Sequence, residues 1–217
     1  MADLIAPAAQ GYAETHTTPP AGDLAAVAEW TSSSTSAPQM MSGVPEARLL
    51  EGLIVASGAM RVLEIGTFTG FGALAMAAAL PPGGTVITLE VDTDVAAQAR
   101  RHIDASPVGE RVDLRVGDAL EALAELEGPF DLVYIDAWKS DYPAYYDLVM
   151  PKLAARGVIV ADNLFRGGAA LDPTDTDQST VGIREFAERV QADPRVHNVL
   201  LSVGDGLMLA WRAPETD

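Results

Sequence analysis

The chain has 217 residues, no cysteine, and a formal charge of −17 from 14 basic and 31 acidic side chains. That length fits one domain with its own core. The acidity argues against nucleic-acid binding and against docking on an anionic membrane, and the lack of cysteine excludes disulfides, thiolate metal sites and a catalytic thiol.

The first ten residues hold no basic side chain and no long apolar run, so they do not read as a signal peptide, and the expected compartment is the cytoplasm. No apolar run reaches the roughly 18 residues of a membrane span. Residues 1–43 stand apart: they hold Thr17–Pro20 and the polar run Thr31–Ser36, and between these Leu24, Val27 and Trp30 recur at helical spacing after Asp23. They read as an N-terminal helical extension or lid with one or two short helices, although the composition also allows a partly disordered tail. The main domain is expected over 44–217. Its first helix follows Pro45, with Leu49, Leu50, Leu53 and Ile54 on one face. Strands are then expected at Arg61–Ile65, Thr85–Glu90, Val112–Val116, Leu132–Ile135 and Val158–Ala161. Helices are expected at Phe71–Leu80, Asp94–Ala105, Leu120–Leu126, Tyr142–Leu153 and Thr180–Ala192. The strands are apolar without alternation, which indicates a sheet covered on both faces, and strand–helix alternation makes it a doubly wound, mostly parallel α/β sheet. His197–Ser202 and Leu207–Arg212 flank Val203-Gly204-Asp205-Gly206, a hairpin pattern that makes the last strand antiparallel.

The first strand runs into Gly66-Thr67-Phe68-Thr69-Gly70-Phe71-Gly72. Glycines let the backbone turn sharply and let a ligand come close, and the helix that follows points free N–H groups at it. The glycine order is not that of a dinucleotide loop. Glu90 closes the second strand, where an acid can hold both ribose hydroxyls. Glu64 places a carboxylate just before the turn; it would repel a pyrophosphate and attract an ammonium. Together these residues suggest a nucleoside site for a ligand without a pyrophosphate, and a plain glycine-rich turn is the other reading. Asp118, with Gly117 and Ala119, follows the third strand and could accept from an adenine amino group, or form an ordinary turn.

The fourth strand ends Asp136-Ala137-Trp138-Lys139 and the fifth ends Asp162-Asn163. In an open parallel sheet these ends share the ligand-binding edge. Two carboxylates and an amide oxygen are hard donors that suit Mg²⁺ rather than zinc. Near such a cation the charged form of Lys139 is disfavoured, which suits a base, and Trp138 offers a wall for a flat substrate. Taken singly, each residue has a bland reading as a cap, a turn or a solvated lysine.

The runs Val62–Gly70, Asp136–Lys139 with Tyr142–Tyr146, Ala161–Asn163 and Gly204–Leu207 resemble the catechol and caffeoyl-CoA O-methyltransferase-like family over roughly Gln39 to Trp211. The resemblance implies a class I methyltransferase, Rossmann-like, with a seven-stranded sheet whose last strand is antiparallel. It implies S-adenosylmethionine as methyl donor and a divalent cation, Mg²⁺ or else Mn²⁺ or Ca²⁺. Asp136, Asp162 and Asn163 correspond to metal ligands and Lys139 to the general base. Ser42, Glu64, Gly66, Thr67, Gly70, Gly72, Glu90, Asp118, Ala119 and Asp136 correspond to the cofactor site. Met40, Trp138, Lys139, Phe165 and Arg166 are expected at the acceptor, the last two in the variable loop Leu164–Gln178. The family often has Ser where Gly72 stands, and many bacterial and plant members have Asp in place of Trp138. The partners implied are a small aromatic acceptor and a second copy of the chain. The expected reaction is methylation of one hydroxyl of a catechol-like acceptor. A metal-independent methyltransferase, a non-catalytic cofactor-binding protein and a nicotinamide oxidoreductase are the rival readings; the last is disfavoured by the glycine order.

Overall fold

The computed structural model describes residues 7–214. Seven strands form one sheet in the order β3-β2-β1-β4-β5-β7-β6. β1 (Arg61–Ile65), β2 (Thr85–Glu90), β3 (Val112–Val116), β4 (Phe130–Ile135) and β5 (Leu153–Ala161) are mutually parallel; β7 (Leu207–Arg212) runs antiparallel to both β5 and β6 (Val196–Leu201). The chain order reverses between β1 and β4, and the crevice at such a switch point is where open α/β sheets bind ligands.

Side chains alternate across the strands, so each strand feeds two cores. Val62, Val86, Leu132 and Val160 face α3 (Val44–Ser57), α4 (Phe71–Ala79) and α5 (Thr93–Ala105). Leu63, Ile65, Val133, Ile135 and Ile159 face α7 (Tyr142–Val149) and α8 (Gln178–Ala192), with Leu123 of α6 (Ala119–Glu125). Leu50 and Ile54, the buried stripe of α3, are each at most 1% exposed and contribute about 2–3 kcal/mol apiece. Gly58 ends α3, its N–H donating to Ile54 O.

Two helices precede this body. α1 spans Pro7–Thr15 and α2 spans Gly22–Ser34. Leu24 and Val27 of α2 are buried in the same core as α3 and α4.

Several element ends lie one or two residues from the sequence expectation, and three boundaries differ for a reason the structure shows. α7 stops at Val149 and passes into a 3₁₀ turn, Met150–Lys152, because Pro151 has no N–H to continue the helix. β4 begins at Phe130 and β5 at Leu153, earlier than the apolar runs suggest, because Phe130 pairs with Leu153 before the register shifts. Among the described residues no helix is long and apolar enough to cross a membrane.

Candidate active site

A cleft of about 1420 Å³ opens along the carboxyl ends of the strands. That exceeds the roughly 300–1,000 Å³ that holds one drug-sized ligand, so two small molecules fit side by side. Of the site residues expected from sequence, all but Gly70 and Phe165 line it.

At one end, β1 turns away at Gly66. Its φ is +102°, and a Cβ there would sit 2.0 Å from the Asp136 carbonyl oxygen. The tips of β1 and β4 therefore meet only through a glycine. Gly66→Ala is expected to cost about 2–4 kcal/mol and to lower Tm by roughly 5–15 °C; an unchanged melting curve would contradict this close approach. Gly70 serves as N-cap of α4 and supports the turn from outside the cleft. At the tip of β2, Glu90 accepts from Phe68 N at 2.8 Å and from Asp92 N at 3.0 Å, which holds its carboxylate at the cleft wall. Asp118 Oδ1 caps α6, accepting from Leu120 N at 2.8 Å and Glu121 N at 3.1 Å. Its capping role and its place in the cleft wall coexist.

Across the cleft floor the parallel register sets Thr88, Glu64 and Tyr134 side by side on one face of the sheet. Thr88 Oγ1 donates to Glu64 and lies 2.6 Å from Thr67 Oγ1. Glu64 is 1% exposed, and burial pushes its carboxyl up to about 8. A Cβ on Gly72 would lie 2.4 Å from Glu64 Oε1, so the Glu64 carboxyl fills the space where a residue-72 side chain would stand. Tyr134 OH donates to Asp162 Oδ2 at 3.1 Å and lies 3.3 Å from Ser42 Oγ. The polar row thus runs from the glycine loop to the acids at the other end.

There Asp136, Asp162, Asn163 and Lys139 converge. Lys139 Nζ donates to Asp136 Oδ1 at 2.7 Å. Asp162 is 5% exposed and accepts from Asn163 N at 2.6 Å; burial, and then the Asp136 charge, push its carboxyl up to about 7. Asn163 takes the left-handed conformation, φ +61°, which asparagine tolerates. The Lys139 backbone is backed by Gly182 of α8, where a Cβ would meet Lys139 O at 2.5 Å. Among the described residues no three His, Asp or Glu side chains gather as a metal cage; the candidate donors are two carboxylates and one amide.

On the rim, Trp138 is 66% exposed and Met40 58%. Arg166 lines the cleft with its guanidinium bound to Asp177 Oδ1 at 2.9 Å and Thr180 Oγ1 at 2.8 Å. Phe165 packs instead on Gly206, where a Cβ would meet its ring at 2.8 Å. Sequence reasoning missed Glu46, nine-tenths buried in the cleft wall, where burial raises its carboxyl. It also missed Arg184 of α8, which donates to the carbonyls of Ala169, Ala170, Asp172 and Asp175 and so pins the loop carrying Arg166. An isolated acid or arginine on a helix carries no signal of either role.

The raised Glu64 and Asp162 make stability depend on pH. The folded chain keeps these two protons after the unfolded chain has released them, so stability falls as pH rises from about 5 toward 8. Discounted to about 1–2 kcal/mol, the ligand-free protein is expected to lose roughly 3–6 °C of Tm between about pH 5.5 and about pH 8.5. A Tm that climbs across this window would contradict the burial of these acids.

Comparison with known proteins agrees with the geometry. The O-methyltransferase family model matches residues 16–213. A catechol O-methyltransferase of Mycobacterium tuberculosis is 38% identical over 80% of this chain and 81% of that protein. A probable caffeoyl-CoA O-methyltransferase of Dictyostelium discoideum is 30% identical over 80% and 78%. The crystal structure of the O-methyltransferase TomG from Streptomyces achromogenes, in complex with SAM, superposes with a TM-score of 0.86 at 30% identity, covering 94% of this chain and 96% of that one. The sheet order, with its antiparallel β7, is that of class I methyltransferases. The chain therefore belongs to the O-methyltransferase family, as an S-adenosylmethionine-dependent enzyme of the catechol and caffeoyl-CoA type.

Proposed function

We propose that the enzyme methylates one hydroxyl of a small catechol-like acceptor and that it does so with a divalent cation, Mg²⁺ first among the candidates. The observation that carries this reading is the convergence of Asp136, Asp162, Asn163 and Lys139 on one lip of the cofactor cleft. Two carboxylates, one of them almost fully buried, and one amide oxygen fit a hard cation that keeps water or substrate oxygens as its other ligands. With S-adenosylmethionine bound, that cation would supply orientation and charge at two adjacent acceptor oxygens.

The chain's own residues do the rest. Lys139 Nζ stands over the Tyr142 ring at 5.2 Å and is tied to Asp136. A cation on Asp136 would take over that carboxylate and free Nζ to receive the acceptor proton. Glu64 and Glu90 are the residues that would hold the cofactor along the cleft and so orient its methyl toward the acceptor; such positioning supplies a large part of the rate. Trp138 and Met40 give the acceptor ring an apolar rim.

The cleft also supports a small acceptor over a coenzyme A thioester. Its wall is dominated by carboxylates, and its two cations, Lys139 and Arg166, are each already paired with an acid. Phosphates would meet repulsion there. A mass-spectrometric assay with S-adenosylmethionine and Mg²⁺ tests this on three acceptors: a vicinal diphenol, the matching monophenol and a caffeoyl thioester of coenzyme A. Methyl ether from the diphenol alone is the expected result. Methylation of the monophenol at a comparable rate would remove the two-oxygen reading, and preference for the thioester would remove the small-acceptor reading.

A further inference from the structure

The glycine loop is held from outside the cofactor cleft by residues that none of the motifs includes. Thr31 of α2 is fully buried. Its hydroxyl lies 2.8 Å from Val27 O and 2.8 Å from Thr69 Oγ1. A hydroxyl has one proton, so Thr31 donates within its own helix and accepts from Thr69. From the other side, the Thr69 carbonyl accepts from His102 Nδ1 of α5 at 2.8 Å, which puts the ring proton on Nδ1. His102 Nε2 in turn lies 3.2 Å from Gln98 Nε2, the donor that this tautomer requires. The Trp30 ring meets His102 edge-on at 5.0 Å. Trp30, Thr69 and Gln98 all line the cleft. A further hydrogen bond, from Ser106 Oγ to Asp23 of α2, ties α2 to the far end of α5.

We propose that α2 is part of the cofactor site: Thr31 and His102 are positioning residues that clamp Thr69 from opposite sides, and the Trp30 ring is a wall of the nucleoside cavity. The inference rests on the cofactor reading of the glycine loop and is independent of metal and acceptor. Its physical basis is that Thr69 immediately precedes Gly70, the N-cap of α4. A rigid Thr69 fixes the direction in which the first N–H groups of that helix point, and a loop already in its bound shape binds without a further ordering cost. It also couples the N-terminal segment to cofactor occupancy, because a cofactor bound against Trp30 holds α2 in place.

The test is calorimetric binding of S-adenosylhomocysteine, measured well below Tm, with hydrogen exchange on the parent protein. Thr31→Val removes the hydroxyl at nearly constant volume. It is expected to weaken binding about fivefold, as the loss of one neutral hydrogen bond implies, and to raise the cofactor KM more than it lowers kcat. Thr31→Ser keeps the hydroxyl and is expected to restore affinity to within about twofold of the parent. Trp30→Ala, at a half-buried position, is expected to weaken binding about tenfold, and Trp30→Phe much less. In the parent protein, S-adenosylhomocysteine is expected to slow amide exchange across residues 24–34. Parent-like affinity in Thr31→Val, a Thr31→Ser variant as weak as Thr31→Val, or exchange in α2 that ignores the ligand would each overturn the proposal. A purely structural Thr31 would lower Tm and leave the dissociation constant unmoved. Because the ligand exchange experiment uses the unaltered protein, it decides the matter even where a variant fails to fold.

Discussion

Lys139→Ala is expected to lower kcat by about 10²–10⁴-fold while the dissociation constant for S-adenosylhomocysteine stays within about twofold. Nζ is anchored to Asp136 at 2.7 Å, in the cleft, at the end opposite Glu90. Truncation removes a group that would meet the acceptor oxygen and leaves the glycine loop untouched. A kcat loss equal to the loss in kcat/KM would mark an interaction made only in the transition state. Unchanged turnover would remove Lys139 as the base. A parallel loss of cofactor affinity would mean that Lys139 supports the site rather than the chemistry.

Asp162→Asn separates function from stability in the other direction. Burial penalises the Asp162 charge, and Asp136 adds to the penalty. The amide is neutral and nearly the same size. Its oxygen can keep the Asn163 N–H, and its NH₂ can donate to Tyr134, whose own proton then turns to Ser42. The variant is therefore expected to melt at or above the parent's temperature near pH 8, where the parent's carboxylate is charged. Activity is expected to fall by about 10²-fold or more, because the proposed cation would lose a charged oxygen donor. Full activity, or a large loss of Tm with folded-state chemistry intact, would contradict the assignment of Asp162 as a functional carboxylate held at the expense of stability.

Much of the fold was legible because burial on both faces leaves a clear trace: the pairs Val62-Leu63, Val86-Ile87 and Leu132-Val133 are apolar at adjacent positions that face opposite cores, and a sheet covered on both faces asks for that. The hairpin at Val203–Gly206 was legible from its glycines. The end of α7 was not, because the apolar spacing continues through Met150 and Leu153 while Pro151 ends the helix chemically. In the site, Gly66, Glu64 and Asp136 sit next to strand ends and could be placed by counting. Phe165 could not: an aromatic residue in a loop beside the cleft suits an acceptor lip, but Gly206 leaves a hollow that its ring fills instead. Thr31 owes its role to a contact across 38 residues, Glu46 to burial and Arg184 to the carbonyls of the loop before its helix, none of which the local sequence marks. A threonine that opens a polar run carries no sign of this contact until α2 is seen against Thr69.

A divalent cation on the Asp136–Asp162–Asn163 lip is the proposed requirement for the transfer. Its most direct test is methyl ether formation from a vicinal diphenol by the parent enzyme after exhaustive chelation, followed by stepwise return of Mg²⁺ at fixed S-adenosylmethionine. The expected result is negligible product in chelator and recovery along a saturable curve that Asp162→Asn shifts to higher Mg²⁺. Product formed at the same rate with and without chelator would contradict it and leave a metal-independent O-methyltransferase in its place.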